Sequence, residues 1–173
     1  MTTWIISDTH FGDRNLVGTE LAEGKSTRPF ATVSEMNECL ADNWNDHIAA
    51  GDVVLHLGDV YTGTGWEMLA RLNGQKHLIL GNHDNPLDGN LAAAFTSIAL
   101  WNVEVAEKIA LTHVPIDLSR GRGLADRFDF NIHGHLHGRP APTERHLCVS
   151  LEQTDYKPVG LEDLVARLRA DEG

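Results

Sequence analysis

Gly81-Asn82-His83-Asp84 follows the apolar run His77-Leu78-Ile79-Leu80, and this junction decides the fold. The run reads as a buried strand. Glycine opens a tight turn without a Cβ clash, and the next three side chains are all polar. Four other junctions repeat the pattern. Asp8-Thr9-His10 follows Trp4-Ile5-Ile6-Ser7, and Gly58-Asp59 follows Val53-Val54-Leu55-His56-Leu57. Thr112-His113 ends Ile109-Ala110-Leu111, and Gly134-His135-Leu136-His137-Gly138 follows the run from Phe128 to Ile132. Five apolar runs therefore end in Asp, Asn or His.

That recurrence has a physical reading. In open α/β sheets a ligand sits at the carboxyl ends of the strands, so residues far apart in sequence converge on one crevice. The side chains collected are carboxylates, imidazoles and an amide, with no thiol. Such donors suit divalent Mn, Fe, Ni, Co or Zn and argue against a thiolate zinc site. Within Asp8-x-His10 and His135-x-His137 the two side chains are two apart. In an extended segment each pair points to one side and can grip one cavity.

Taken together, Asp8-x-His10, Gly58-Asp59, Gly81-Asn82-His83-Asp84, His113 and Gly134-His135-x-His137 resemble, in order, the five motifs of the calcineurin-like metallophosphoesterases. Each motif is short, but five in the right order, each after a strand-like run, make a specific pattern. The tail from Val149 to Val159 also looks like the ending of small single-domain members. One position departs from the pattern: Asp13 stands where those small members often carry a histidine.

The resemblance implies two packed β-sheets flanked by helices, a four-layer α/β/β/α sandwich. It implies a phosphoesterase that uses two divalent cations roughly 3.5–4 Å apart, with a bridging hydroxide attacking phosphorus in line. It puts Asp8, His10 and His137 with Asp59 on one metal, and Asn82, His113 and His135 with Asp59 on the other. His83 is not a ligand in that family. It looks like the general acid for the leaving oxygen, with Asp84 holding its tautomer. Asn82 could also contact substrate. The competing class is a binding or protein-interaction module, since some relatives of this fold have shed metal ligands. None of the ligand positions is missing here.

Bulk properties set further bounds. The 173 residues read as one domain, 42% hydrophobic and 23% charged, ordinary for a globular protein. A formal net charge of −11 argues against a long nucleic-acid partner, which needs a basic face. It says less about a small phosphate ester, because bound cations can reverse the local field. Cys39 and Cys148 make no disulfide framework and read as buried small residues. No membrane span or signal peptide is visible, so a cytoplasmic location is the default expectation. Nothing in the sequence fixes the oligomeric state.

Along the chain, strands are expected at 3–7, 53–57, 76–80, 128–132 and 145–151, and a hairpin at 103–112. Thr32 and Glu35 match a capping box for a helix to about Ala49, with Val33, Met36, Leu40, Trp44 and Ile48 as its buried stripe and His47 near its surface. Short helices are expected over Trp66–Asn73 and Asn90–Phe95, and a terminal helix over Leu161–Ala170. His56 reads as a satisfied core histidine, His133 as a residue behind the ligands, and His146 as peripheral. The long loop 11–31 carries Arg14, Lys25 and Arg28. One of Arg14 and Arg28 is expected to touch substrate. The basic stretch Arg120-Gly121-Arg122-Gly123 reads as a surface loop.

Overall fold

Residues 1–18, 28–104, 106–119 and 126–170 are described by a computed structural model of the chain. Lys25, Val105 and the Arg120–Gly123 stretch lie outside them. Four strands, β1 (Thr3–Ile6), β2 (Val53–His56), β3 (Gln75–Ile79) and β4 (Ser97–Ala99), run parallel. A two-residue strand, β9 (Val159–Gly160), adds antiparallel to β1, giving the order β4-β3-β2-β1-β9. The second sheet has the order β5-β6-β7-β8, from β5 (Trp101–Glu104), β6 (Ile109–Thr112), β7 (Phe130–His133) and β8 (His146–Cys148). β5 and β6 form the expected hairpin, with Glu104 opposite Ile109, while β6, β7 and β8 are parallel.

Neighbouring side chains on a strand go to opposite faces, and that alternation builds two cores. Ile6, Val54 and Leu78 pack with Met36, Leu40 and Trp44 of helix α1 (Val33–His47). Their neighbours Ile5 and Ile79 face the second sheet, where they meet Ile109, Leu111, Phe130 and Ile132. Leu164 and Leu168 of helix α3 (Leu161–Ala170) close that second core. The molecule is therefore two mixed sheets packed together and flanked by helices. No helix among the described residues is long and apolar enough to cross a membrane.

Helix α1 begins as its sequence dictates. Thr32 Oγ1 accepts from Glu35 N–H at 3.1 Å, but Glu35 reaches back to the N–H of Ala31, one residue earlier than a standard box. The expected helix near Trp66 is a 3-10 helix, Gly63–Arg71. Helix α2 (Gly89–Ala94) is capped by Asp88. His56 is buried as expected. His146 is not peripheral to the fold: it is buried, with its two ring nitrogens on Thr143 Oγ1 and the Ile116 carbonyl. Cys148 is buried, whereas Cys39 is only half-buried against the first core.

Candidate metal centre

The parallel strands deliver the polar junctions to one end of both sheets. Asp8 and His10 lie just past β1, Asp59 past β2, Asn82 past β3, His113 directly after β6, and His135 and His137 past β7. Their side chains gather into two groups, Asp8–His10–His137 and Asp59–His113–His135. Within each group one donor atom per residue lies within 4.8 Å of the others. Each group draws on both sheets.

The segments carrying these residues are not extended. Asp8, His10, Asp59, His135 and His137 all have positive φ, between 47° and 69°. Side chains two apart therefore converge through left-handed turns rather than through strand alternation, which corrects the sequence expectation. Non-glycine residues in this region are uncommon and cluster at functional sites. Glycines let the turns approach closely. A Cβ on Gly81 would stand 2.1 Å from Asp59 Oδ1, and one on Gly134 would stand 2.0 Å from Ser7 Oγ.

Hydrogen bonds leave one face of each donor turned inward. Asp59 Oδ1 accepts the His83 backbone N–H at 2.8 Å. Its Oδ2 lies 3.5 Å from His10 Nε2 and 3.3 Å from His113 Nε2, between the two groups. Asp8 Oδ2 accepts from Ser150 Oγ at 2.8 Å and from the His135 N–H at 3.0 Å. His113 Nδ1 donates to the Leu57 carbonyl at 2.8 Å, because a carbonyl only accepts. Its Nε2 then faces Asp59 Oδ2 and, at 2.9 Å, Asn82 Oδ1. His137 Nδ1 lies 2.9 Å from Glu152 Oε1, which directs Nε2 toward Asp8 Oδ1 at 3.9 Å.

Donor atoms that converge in this way could hold a cation between them. Both ring nitrogens of His10 are buried with no hydrogen-bond partner. A buried orphan of that kind is costly and fits a ligand atom. Burial holds the His10 imidazole down to about 4, so it is neutral and able to bind metal. Burial works against the charged form of Asp59 too, yet the His113 bond and the His83 N–H outweigh it and hold the carboxyl at about 2. At His113 burial is outweighed by the Asp59 bond and the nearby carboxylates, and the imidazole is pushed up. The donor set thus fits two divalent ions sharing Asp59, with oxygen and imidazole ligands and no thiolate.

Several sequence expectations change here. Arg28 does not reach a substrate space. It is 0% exposed, with Nε on Glu152 Oε1 at 2.8 Å and its other nitrogens on the carbonyls of Thr9 and Asp8. It braces the turn that carries Asp8 and His10. Asp84 does not hold the His83 ring. Its carboxylate accepts three backbone N–H groups, from Asp59, Val60 and Gly81, at 2.8–2.9 Å. It ties the Asp59 turn to the Gly81 turn. Arg14 is exposed, on a 3-10 turn (Arg14–Leu16) just past His10. Asp13 caps that turn through Asn15, and its Oδ2 lies 3.8 Å from His10 Nδ1.

His83 is exposed, with its ring 5.2 Å from that of His10. His133 is buried behind the ligands, its Nδ1 on the Gly134 carbonyl. Glu152 and Ser150 were missed from sequence. Both lie in the 149–159 tail, where the signal was the resemblance of the whole tail rather than any feature of the two residues. Burial opposes the charge on Glu152, but the bond to His137 and the Arg28 guanidinium hold its carboxyl at about 2.

The comparisons with known proteins bear on the family and the fold. The family model described as "Calcineurin-like phosphoesterase" matches residues 1–109. The uncharacterized protein MJ1445 of Methanocaldococcus jannaschii is 33% identical, over 95% of this chain and 89% of its own length. The gene 66 protein of Mycobacterium phage L5 is 30% identical, over 84% of this chain and 81% of its own. Among solved structures, the Aquifex aeolicus protein of unknown function AQ665 superposes with a TM-score of 0.67 at 22% identity. That match covers 94% of this chain and 97% of the other, and it speaks to the fold.

Proposed function

The chain belongs to the calcineurin-like phosphoesterase family, and on that premise we propose that it hydrolyses small phosphate mono- or diesters with two divalent cations as cofactors. The observation that carries the reading is Asp59, whose Oδ2 lies 3.5 and 3.3 Å from imidazoles of the two separate groups. Asp8, His10 and His137 would hold one cation, Asn82, His113 and His135 the other, and Asp59 would serve both. When bound, such a pair supplies Lewis acidity toward the phosphoryl oxygens and acidifies water.

The chain's own residues supply the rest. His83 is exposed beside His10, outside the donor groups, and its imidazole would hand a proton to the departing ester oxygen. Asp84 keeps that residue in place through the backbone, by clamping the two turns on either side. Arg14 is near enough in the chain to meet a substrate phosphate, whereas Arg28 acts only by supporting the ligand turn. A net charge of −11 disfavours an extended polyanion and leaves a small ester as the fitting substrate.

The test is metal content and turnover together. Reconstituted protein should hold about two equivalents of Mn, Ni, Zn or Fe and cleave nitrophenyl phosphate mono- or diesters. Asp59→Ala should lose most of both ions. Tight metal binding with no turnover of any ester would favour a binding module on the same fold instead.

A further inference from the structure

A cavity of about 580 Å³ opens directly beside the donor groups. Asn82 and His113 form one edge of it, so it is continuous with the metal centre. Apart from Thr112 its remaining side chains are apolar, among them Leu80 from the end of β3, Leu100 and Trp101 where the chain crosses from the first sheet to the second, and Phe128 before β7. Trp101 and Phe128 meet edge-to-face, with ring centroids 6.3 Å apart. Leu100 is 74% and Trp101 45% exposed, which is apolar surface left to water at the mouth of a polar site.

The hydroxyl in that wall is already in use. Thr112 Oγ1 donates to the Val114 carbonyl at 2.6 Å and accepts from Asn131 Nδ2 at 3.0 Å. Asn82 Oδ1 faces His113. A group entering the cavity therefore meets hydrocarbon and ring faces, with no free donor or acceptor offered by Thr112 to read a polar edge. The size falls within the range of small-molecule sites.

We propose that this cavity is a specificity subsite for an apolar aromatic ester group, carried by a phosphate ester whose phosphoryl group sits at the metal centre. The proposal rests on the phosphoesterase reading above. The occupant follows from continuity: a phosphoryl group held near Asn82 and His113 places its substituent against Trp101 and Phe128. The subsite selects by burial of a ring, so esters of aromatic alcohols are preferred over esters of methanol or of a polar sugar.

Binding of non-hydrolysable phosphonates to the Mn-loaded protein tests this, read by titration calorimetry. Phenylphosphonate should bind about tenfold tighter than methylphosphonate, or better. Trp101→Ala, on a partly exposed edge strand, should remove most of that difference and leave methylphosphonate affinity unchanged. Phe128→Leu gives the second reading of the same wall. Equal affinity for the two phosphonates, or a phenyl preference that survives both substitutions, overturns the subsite while leaving the phosphoesterase reading intact. Failure of both phosphonates to bind the loaded protein overturns the phosphoesterase reading, and the subsite with it.

Discussion

Glu152 Oε1 lies 2.9 Å from Nδ1 of His137, across 15 residues of sequence. The carboxylate fixes the proton on Nδ1 and turns Nε2 toward the donor group. Arg28, buried beside it, neutralises the charge and bonds the carbonyls of Asp8 and Thr9. Glu152→Gln keeps the volume but removes the charge that holds the imidazole. Metal affinity should fall roughly 10–100-fold, measured by competition with a chelator. Unchanged affinity would show that His137 is oriented without Glu152.

His83→Ala should keep its metals and lose rate. The ring is exposed and outside both donor groups, so the metal complement has no reason to change. Loss of a general acid costs roughly 10²–10⁴-fold. The loss should shrink for nitrophenolate esters, which leave without a proton. Equal losses for alkyl and nitrophenyl esters would speak against proton donation.

Gly81→Ala should damage the centre through packing alone. The added Cβ would meet Asp59 Oδ1 at 2.1 Å, so either the carboxylate or the turn must move. Overpacking of this kind costs about 1–3 kcal/mol. Reduced metal stoichiometry together with a lower denaturation midpoint is the expected result. Full metal content with unaltered stability would mean that the turn has slack.

Acid should weaken the fold partly through His56. The ring is buried against Trp44 and Phe95, accepts the Gly58 N–H at Nδ1, and meets Thr9 Oγ1 at Nε2. Burial lowers it from 6.5 to about 3. Between those values the unfolded chain binds the extra proton, so stability falls as pH drops through that window and is fully present above 6.5. Urea unfolding of the chelator-treated protein from pH 7 to 4 measures the slope. His56→Gln should flatten it. An identical slope in the variant would assign the acid sensitivity to other groups.

The five junctions were readable because parallel strands put their carboxyl ends on one side, so a polar residue after each apolar run pointed to one crevice, and the family resemblance supplied the grouping. What escaped has physical reasons. Arg28 reads as a surface arginine until its partner appears, 124 residues later, at Glu152. Asp84 sits beside His83 in the sequence, yet its carboxylate turns to the N–H groups of another strand's end. β9 and β4 have two and three residues, too few for alternation to show. The left-handed turns carry no periodic signal, since Asp and His adopt positive φ far less often than glycine does, although more often than other side chains.

Each donor group straddles the sheets, with Asp8 and His10 after β1 but His137 after β7, and Asp59 after β2 but His113 and His135 after β6 and β7. The sheets cannot drift apart without opening both groups in the same event. Metal ligation there would form one cooperative unit with sheet docking. A nascent chain with only β1 to β4 formed offers Asp8, His10, Asp59 and Asn82 but lacks three of the imidazoles. Ions taken up late would bind the native state and not the unfolded one, which makes the folding equilibrium itself a function of free metal concentration.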